Sequence, residues 1–247
     1  MDILYVVGTG SIWQNNELRY SLRSIARYGE NVGRVYIVGH KPAFVSDVVA
    51  HIPCDDPYTD PKLPHKNILH KVLYAIENSD IAPHFLVSSD DHFYIKPTDF
   101  ETLPVYYRSE SIPDGIPFLQ ENNPYFRSLM ETRELLLRHG LTLYQSNPHC
   151  NTHFDTDVYR ANKALFDECF RLPHGGEMNC VMGNLLIAQG YPKAQFHDSK
   201  LSGKIHAAQW QERVAETNCV SGVPRIGTTY LANWLIRNFS SKCIYEK

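Results

Sequence analysis

Phe85-Leu86-Val87-Ser88-Ser89-Asp90-Asp91-His92-Phe93-Tyr94-Ile95 is an apolar stretch that two adjacent acids interrupt. A run of this kind is typical of a buried central strand. Paired carboxylates at its end place hard oxygen atoms at the carboxyl edge of a sheet, where α/β proteins bind ligands. Such oxygens suit Mg²⁺ or Mn²⁺, cations that neutralise phosphate charge. The stretch therefore predicts a cation site, and the alternative is that Asp90 and Asp91 only cap the next element.

Strand and helix patterns alternate ahead of this stretch. Apolar runs predict buried strands at residues 3–7 and 34–38, and apolar positions with helical spacing predict amphipathic helices at 16–28 and 65–78. Residues 44–52 are interpreted as a short helix leading into a third strand. This order implies an α/β fold with a mainly parallel, doubly wound sheet and right-handed crossovers.

The second half of the chain mixes helix and strand patterns. Helices are predicted at residues 125–139, 155–169, 178–189 and 228–239, and a short strand at 194–197. Since the sequence shows no internal repeat, low-complexity tract or linker, residues 1–247 are interpreted as a single domain with a mixed α+β second half.

Composition excludes several classes of protein. The 247 residues are 43% hydrophobic, enough for one large core, and the net charge of −3 provides no global basic field for nucleic acid or anionic membrane. We find no apolar stretch near the roughly 18 to 20 residues that cross a bilayer, and the first residues predict a strand, not a signal peptide. The six dispersed cysteines form no Cys-x-x-Cys pair, which argues against a zinc ribbon and predicts reduced thiols in the cytoplasm.

Several of these features together resemble a GT-A type glycosyltransferase. They are the alternating first half, the acids after the fourth strand, a Glu177-Met178 step opening a helix that ends in Gln189-Gly190-Tyr191, and a later histidine. In that family an Asp-x-Asp-like motif holds a metal ion on a nucleotide-diphosphate sugar. The resemblance implies a GT-A-like fold in which residues 1–100 bind the nucleotide sugar and residues 101–247 bind the acceptor.

A shorter block is similar to the Stealth family of capsular-polysaccharide sugar-phosphate transferases. It comprises Asn15-Asn16-Glu17-Leu18-Arg19-Tyr20-Ser21-Leu22-Arg23-Ser24-Ile25-Ala26-Arg27-Tyr28 and then Val35-Tyr36-Ile37-Val38. The chain departs from both families at residues 89–91, where Ser-Asp-Asp replaces the Stealth Asn-Asp-Asp and is not a strict Asp-x-Asp. The ending at residues 241–246 looks like that of small GT-A-like proteins from bacteria and their phages.

The resemblance implies roles for the polar residues near the cation and the donor. Asp91 is the expected ligand of Mn²⁺ or Mg²⁺, and His197 and His206 compete as the histidine that completes the site; for either, the alternative is an ordinary hydrogen-bonded histidine. The residues expected to contact the donor are Gly8, Thr9, Arg19, Lys66, Asn67, Lys71, Asp90 and Lys204. The alternatives for several of these are a simple turn at Gly8 and solvated lysines on the helix at 65–78.

The acceptor side contains several candidates for a general base. Glu177 resembles the catalytic base of inverting GT-A enzymes, which removes the proton of the acceptor hydroxyl. Its alternative role is that of an acid stabilising a helix N-terminus. His153 and Asp155 are alternative bases in a cluster at residues 149–157. A zinc site at His149 and His153 is disfavoured, because Pro148 and the polar composition predict a loop there.

These residues lead to a hypothesis about function. The chain is interpreted as a metal-dependent hexosyltransferase that transfers a sugar from a nucleotide-diphosphate sugar, with UDP-hexose favoured, to a hydroxyl acceptor. A glycan is favoured over nucleic acid as acceptor, and a modified DNA base in a phage context stays open. The alternatives are a Stealth-like sugar-1-phosphate transferase and a non-catalytic nucleotide-sugar-binding protein.

Overall fold

The described part of this computed structural model comprises residues 1–60, 63–196, 200–201, 207–222 and 230–247. The strands are β1 Asp2–Val7, β2 Gly29–Glu30, β3 Val35–Gly39, β4 Ala50–Ile52, β5 His84–Ser88, β6 His92–Tyr94, β7 Thr98–Asp99, β8 Val105–Tyr107, β9 Thr152–Asp155, β10 Lys193–Gln195 and β11 Cys219–Ser221. The helices are α1 Asn16–Tyr28, α2 Pro64–Glu77, α3 Pro124–Arg138, α4 Thr156–Ala161, α5 Lys163–Arg171, α6 Met178–Ala188, α7 Ala207–Glu216 and α8 Tyr230–Asn238, with a short 3-10 helix at Phe118–Gln120.

The central sheet has five strands in the order β4-β3-β1-β5-β9. β1 runs parallel to β3 and β5, and β3 runs parallel to β4. This arrangement confirms the α/β fold with a mainly parallel sheet. The edge strand β9 is antiparallel to β5, with Asp155 opposite His84 and Thr152 opposite Val87. The sequence pattern does not predict this strand, because three of its four residues are polar.

Side chains of the central strands alternate between two hydrophobic clusters. Leu4 of β1 belongs to a cluster that contains Leu69 and Val72 of α2. Its neighbours in β1, including Tyr5, belong to a second cluster that contains Leu18 of α1. Because both faces of the sheet are covered, its inner strands read as continuous apolar runs rather than as alternating patterns.

Residues 85–95 contain parts of two strands, one on each side of the two acids. β5 ends at Ser88, and β6 begins at His92 after a turn that contains the two acids. β6 then pairs with β11 in antiparallel register, with His92 opposite Ser221. The turn therefore brings a segment from near the end of the chain to the carboxyl edge of β5.

Two helix predictions differ from the structure. Residues 155–169 form two helices, because Asn162 ends α4, and its side chain donates to the carbonyl of Val158 at 2.8 Å. Residues 44–52 contain β4 but no helix. There the backbone pairs with the C-terminal segment instead, since Val45 bridges Glu246 and the Ser46 amide donates to the Tyr245 carbonyl. Within the described ranges, we also find no helix long and apolar enough to span a membrane.

Candidate active site

A cavity of about 280 Å³ lies beyond the carboxyl end of β5. Ser89 and Asp91 from the turn after β5 line it, together with His65 at the start of α2 and Glu177 immediately before α6. Asn147, His149 and Lys200 contribute further polar side chains to its wall. The structure thus brings the predicted cation ligand and the predicted base to one cavity.

The two acids after β5 crowd negative charge at this edge of the sheet. Burial, together with the negative charges of Asp91 and Glu17, raises the pKa of Asp90 to about 7. Asp91 Oδ2 accepts a hydrogen bond from Ser221 Oγ at 3.0 Å, and Asp91 Oδ1 lies 4.0 Å from His92 Nε2. Burial lowers the pKa of His92 to about 4, so this imidazole is neutral at pH 7 and does not offset the charge.

This pair of acids fits a hard divalent cation. Its carboxylates supply the oxygen donors that Mg²⁺ and Mn²⁺ prefer, and the repulsion among them is relieved by a positive charge. Among the described residues, no group of three His, Cys, Asp or Glu side chains is arranged to hold a metal ion. The other predicted members of the site, His197, Lys204 and His206, lie outside the described residues.

The carboxylate of Glu177 is buried and accepts several hydrogen bonds. His65 Nδ1 lies 2.8 Å from Oε1, Asn147 Nδ2 donates to Oε2 at 3.1 Å, and Ser128 Oγ lies 3.4 Å from Oε1. Although Glu177 immediately precedes α6, its side chain makes no capping hydrogen bond to that helix. The carboxylate therefore bonds to residues around the cavity and makes no side-chain hydrogen bond to the first turn of α6.

His65 is the main partner of this carboxylate. Burial lowers the pKa of His65, but the negative charge of Glu177 and the hydrogen bond to it outweigh burial, and the net pKa is raised. In the sequence, His65 directly precedes Lys66 and Asn67, two of the residues expected to contact the donor. No local pattern marks it as the partner of Glu177, because the two residues are far apart in the chain.

Three of the predicted donor contacts line a second cavity of about 530 Å³. Gly8 and Thr9 follow β1, and Lys71 reaches the cavity from α2. Lys71 Nζ donates to the Val7 carbonyl at 3.0 Å and pairs with Asp56 Oδ1 at 2.7 Å. This cavity lies at the carboxyl ends of β1, β3 and β4, where the parallel strands meet.

Four other predicted donor contacts, Arg19, Lys66, Asn67 and Asp90, are not among the residues that line either cavity. The Arg19 guanidinium stacks on the ring of Phe44 at 4.4 Å and lies 3.4 Å from Glu246 Oε2. The side chain of Asn67 bonds the backbone N–H and carbonyl of Tyr58 at 3.1 and 2.8 Å, which holds the loop before α2. Lys66 Nζ lies 5.9 Å from the Tyr58 ring centre.

The two alternative bases on β9 have structural partners of their own. His153 contacts His84 through Nδ1 at 3.0 Å and the Leu103 carbonyl through Nε2 at 3.0 Å, and burial together with His84 lowers the pKa of His153 to about 4. Asp155 accepts from two backbone amides at the start of α4, at 2.9 and 3.0 Å. Since Asp155 lies opposite His84, at the start of β5, the structure does not bring these residues to the cavity beyond its end.

No protein-family model matches this chain, and no curated protein matches its sequence. Among solved structures, the chain is similar to the galactosyltransferase LgtC in complex with donor and acceptor sugar analogs, with a TM-score of 0.49, 9% identity, and 98% of this chain and 96% of that chain covered. The chain is also similar to an active-site mutant of LgtC, with a TM-score of 0.46, 9% identity, and 97% of this chain and 95% of that chain covered. A third similar structure is a glycosyltransferase involved in the glycosylation of the major capsid of PBCV-1, with a TM-score of 0.45, 10% identity, and 97% of this chain and 98% of that chain covered. Likenesses this distant assign neither a family nor an activity to this chain.

Proposed function

We propose that this protein is a metal-dependent glycosyltransferase of the GT-A type, which transfers a sugar from a nucleotide-diphosphate sugar to a hydroxyl group. The observation that carries this proposal is the shared cavity of Asp91, His65 and Glu177. Sugar transfer requires that the charge of the leaving diphosphate be offset and that the acceptor hydroxyl lose its proton. The proposal is supported by the fact that residues suited to these two tasks line the same cavity.

The position of the second cavity supports a nucleotide donor. In the central sheet, β3 and β4 lie on one side of β1, and β5 lies on the other. The strand order therefore reverses next to β1, and ligands of open α/β sheets bind at such a reversal. Val6 lines the first cavity and Val7 the second, so both adjoin the end of β1. We assign the nucleotide to the side of Gly8, Thr9 and Lys71.

Asp91, with Asp90 beside it, is the proposed ligand of Mn²⁺ or Mg²⁺. The cation, when bound, neutralises charge on the diphosphate. Ser221 Oγ holds one oxygen of Asp91 at 3.0 Å, which restricts the rotation of the carboxylate. The donor favoured by the sequence resemblance is a UDP-hexose, the favoured acceptor is a glycan, and the expected compartment is the cytoplasm.

A Stealth-like sugar-1-phosphate transferase is the second candidate. The observation that favours it is the sequence block at residues 15–28 and 35–38, which forms α1 and most of β3. In that reaction the acceptor oxygen attacks phosphorus, and the leaving group is a nucleoside monophosphate instead of a diphosphate. The two candidates therefore use the same donor but release different products.

Product analysis tests both candidates in one experiment. The purified protein is incubated with Mn²⁺, labelled UDP-glucose or UDP-galactose, and mono- and disaccharide acceptors, and the released nucleotide is identified. Release of UDP is expected for glycosyl transfer, whereas release of UMP would identify phosphosugar transfer. A donor that raises the melting temperature but yields neither nucleotide would show a non-catalytic binding protein.

A further inference from the structure

We propose that His65 is the base that takes the proton of the acceptor hydroxyl, and that Glu177 is a positioning residue that acts through His65. This inference rests on the proposed function and deepens it. It holds whether the acceptor oxygen attacks a sugar carbon or a phosphorus, because both reactions consume a hydroxyl proton.

The contact between the two side chains decides which nitrogen of His65 is available. Its Nδ1 lies 2.8 Å from Glu177 Oε1, so Nδ1 carries the proton that this hydrogen bond needs. In the neutral imidazole the lone pair then resides on Nε2. A carboxylate that fixes the tautomer in this way is the arrangement by which histidine serves as a general base in hydrolases.

Glu177 itself is poorly suited to accept the proton. Both of its oxygens accept hydrogen bonds, Oε2 from Asn147 at 3.1 Å and Oε1 from His65 at 2.8 Å. An acceptor hydroxyl would have to compete with these donors for the lone pairs of the carboxylate. The same bonds hold the carboxylate in place, which is what a positioning residue requires.

The backbone around Gly175 holds the pair together. Gly175 has a φ of +72°, and a Cβ atom at this position would lie 2.6 Å from Lys66 Cγ and 3.1 Å from the Lys66 amide nitrogen. The loop before Glu177 therefore packs directly on the first turn of α2, next to His65. This close approach requires glycine, because any side chain would push the two segments apart.

Asn147 provides a second, independent indication of a hydroxyl-bearing ligand. Its Nδ2 donates to Glu177 and, at 3.2 Å, to the Tyr125 hydroxyl, but its buried Oδ1 has no partner among the described residues. Buried acceptors of this kind are rarely left unpaired in proteins. Since Asn147 lines the cavity beside His65, we assign Oδ1 to a neighbouring hydroxyl of the acceptor, which fits a glycan.

The proposed step moves one proton and one sugar. The acceptor O–H bond breaks, its proton moves to His65 Nε2, and the oxygen forms a bond to the anomeric carbon of the donor. The bond from that carbon to the diphosphate oxygen breaks, and its electron pair leaves with the nucleoside diphosphate. The resulting imidazolium is stabilised by the negative charge of Glu177 and later releases its proton to solvent.

Other ionisable groups surround the pair. Burial raises the pKa of Tyr125 from α3, of Cys169 from α5 and of Cys180 from α6, so these three stay neutral near pH 7. The remaining ionisable residues that line the cavity are Asp91, His92, His149, Cys150 and Lys200. His149 is the competing histidine that any test must separate from His65.

The sign of the pH dependence follows from the charge of Glu177. His65 acts in its neutral form, so turnover falls as the pH drops through its pKa, which Glu177 holds above the ordinary value. Replacing Glu177 by glutamine removes the negative charge and leaves burial, which lowers the pKa of His65. The acid-side limb of the kcat profile should therefore move to lower pH in Glu177→Gln.

The pH profile of kcat is measured at saturating donor for the wild type, His65→Asn, Glu177→Gln and His149→Gln. His65→Asn retains an N–H donor toward Glu177. We expect this variant to lower kcat by about 10²- to 10⁴-fold and to abolish the acid-side limb of the kcat profile. A limb that disappears in Glu177→Gln but persists in His65→Asn would make Glu177 the base. A limb that disappears only in His149→Gln would assign the proton to His149. Either result overturns the proposal.

A second measurement separates this inference from the proposed function. The imidazole signals are titrated by NMR without substrate, and His65→Asn assigns the signal of His65. We expect a lower pKa for His65 in Glu177→Gln than in the wild type. Equal pKa values in the two proteins would refute the interaction between Glu177 and His65 even if the protein transfers sugar. A lower pKa in Glu177→Gln, found in a protein that transfers no sugar, would refute the proposed function and the role of His65 as its base.

Discussion

At the scale of single residues, the surroundings of Asp91 prepare its carboxylate for a cation. One oxygen is held by Ser221 at 3.0 Å, and the neighbouring Asp90 and Glu17 add negative charge at the same edge of the sheet. A positive ion is attracted to such a cluster. When no cation is bound, each additional carboxylate raises the free energy of the folded protein through charge repulsion. The site thus exchanges some stability for cation affinity.

This balance predicts the behaviour of Asp91→Asn. The amide oxygen still accepts from Ser221, so the fold is expected to persist, but the loss of charge should remove Mn²⁺-dependent donor binding. In the wild type, a ligand at about 100-fold its dissociation constant adds roughly 2.7 kcal/mol to the free energy of unfolding. Thermal unfolding with UDP, with and without Mn²⁺, measures the difference. Asp114→Asn, which removes an exposed acid elsewhere, is the control, and a full Mn²⁺ effect in Asp91→Asn would disprove the metal assignment.

At the scale of elements, the end of β3 shows how closely the strand termini pack around the second cavity. Gly39 has a φ of +103°, and a Cβ atom there would lie 2.2 Å from the Val7 carbonyl oxygen and 3.1 Å from Lys71 Nζ. That carbonyl accepts the hydrogen bond from Lys71. The glycine therefore allows β1, β3 and α2 to meet at one point.

We expect Gly39→Ala to destabilise the protein by more than the usual cost of a positive φ. Gly140 is a matched control, since its φ is +65° and a Cβ atom there would meet nothing within 4 Å. Gly140→Ala should cost about 1–2 kcal/mol from backbone strain alone. Gly39→Ala adds a backbone clash, so its free energy of unfolding in urea should be lower still. Equal losses in the two variants would show that the close approach at β3 is not required.

At the scale of the whole molecule, an ion pair ties the C-terminal segment to α1. Arg23 Nε and Nη2 contact the two oxygens of Glu246 at 2.6 and 2.8 Å, and Arg23 Nη1 donates to the Phe239 carbonyl at 2.5 Å. The side chain of Glu246 is 2% exposed. Burial raises the pKa of Glu246, but the hydrogen bonds and charge of Arg23 outweigh burial, and the net pKa is lowered.

This pair predicts a pH-dependent stability. Because the pKa of Glu246 is lower in the folded state, its contribution is present above the ordinary pKa of glutamate and is lost as the pH falls through the lowered value. Glu246→Gln should therefore reduce the free energy of unfolding by about 2 kcal/mol at pH 7 and by progressively less below about pH 4. Denaturant unfolding of the wild type and Glu246→Gln between pH 7 and below pH 4 measures this difference in free energy. Glu134→Gln, which breaks an exposed pair with Arg133, should cost below about 1 kcal/mol, and a similar small loss in Glu246→Gln would contradict the prediction.

The sequence by itself determined the class of fold and the edge of the sheet at which the site lies. Apolar runs and helical spacing are local signals, and they predicted β1, β3, β5, α1 and α2 close to their observed bounds. The two acids followed β5 directly, so their place at its carboxyl end needed no knowledge of distant contacts. A parallel sheet then brings that end next to the ends of its neighbours, where both cavities lie.

Only the tertiary structure decided which side chains meet. His65 lies in α2 and Glu177 immediately before α6, and their contact depends on the packing of the loop at Gly175 against α2. Arg19 contacts Glu246 because the C-terminal segment packs against α1. Residues 44–52 form no helix because their backbone pairs with the same segment at Val45. Contacts between residues far apart in the chain produce no periodic pattern in a single sequence. Each partner is also compatible with an ordinary local role, such as a helix terminus or a solvated side chain.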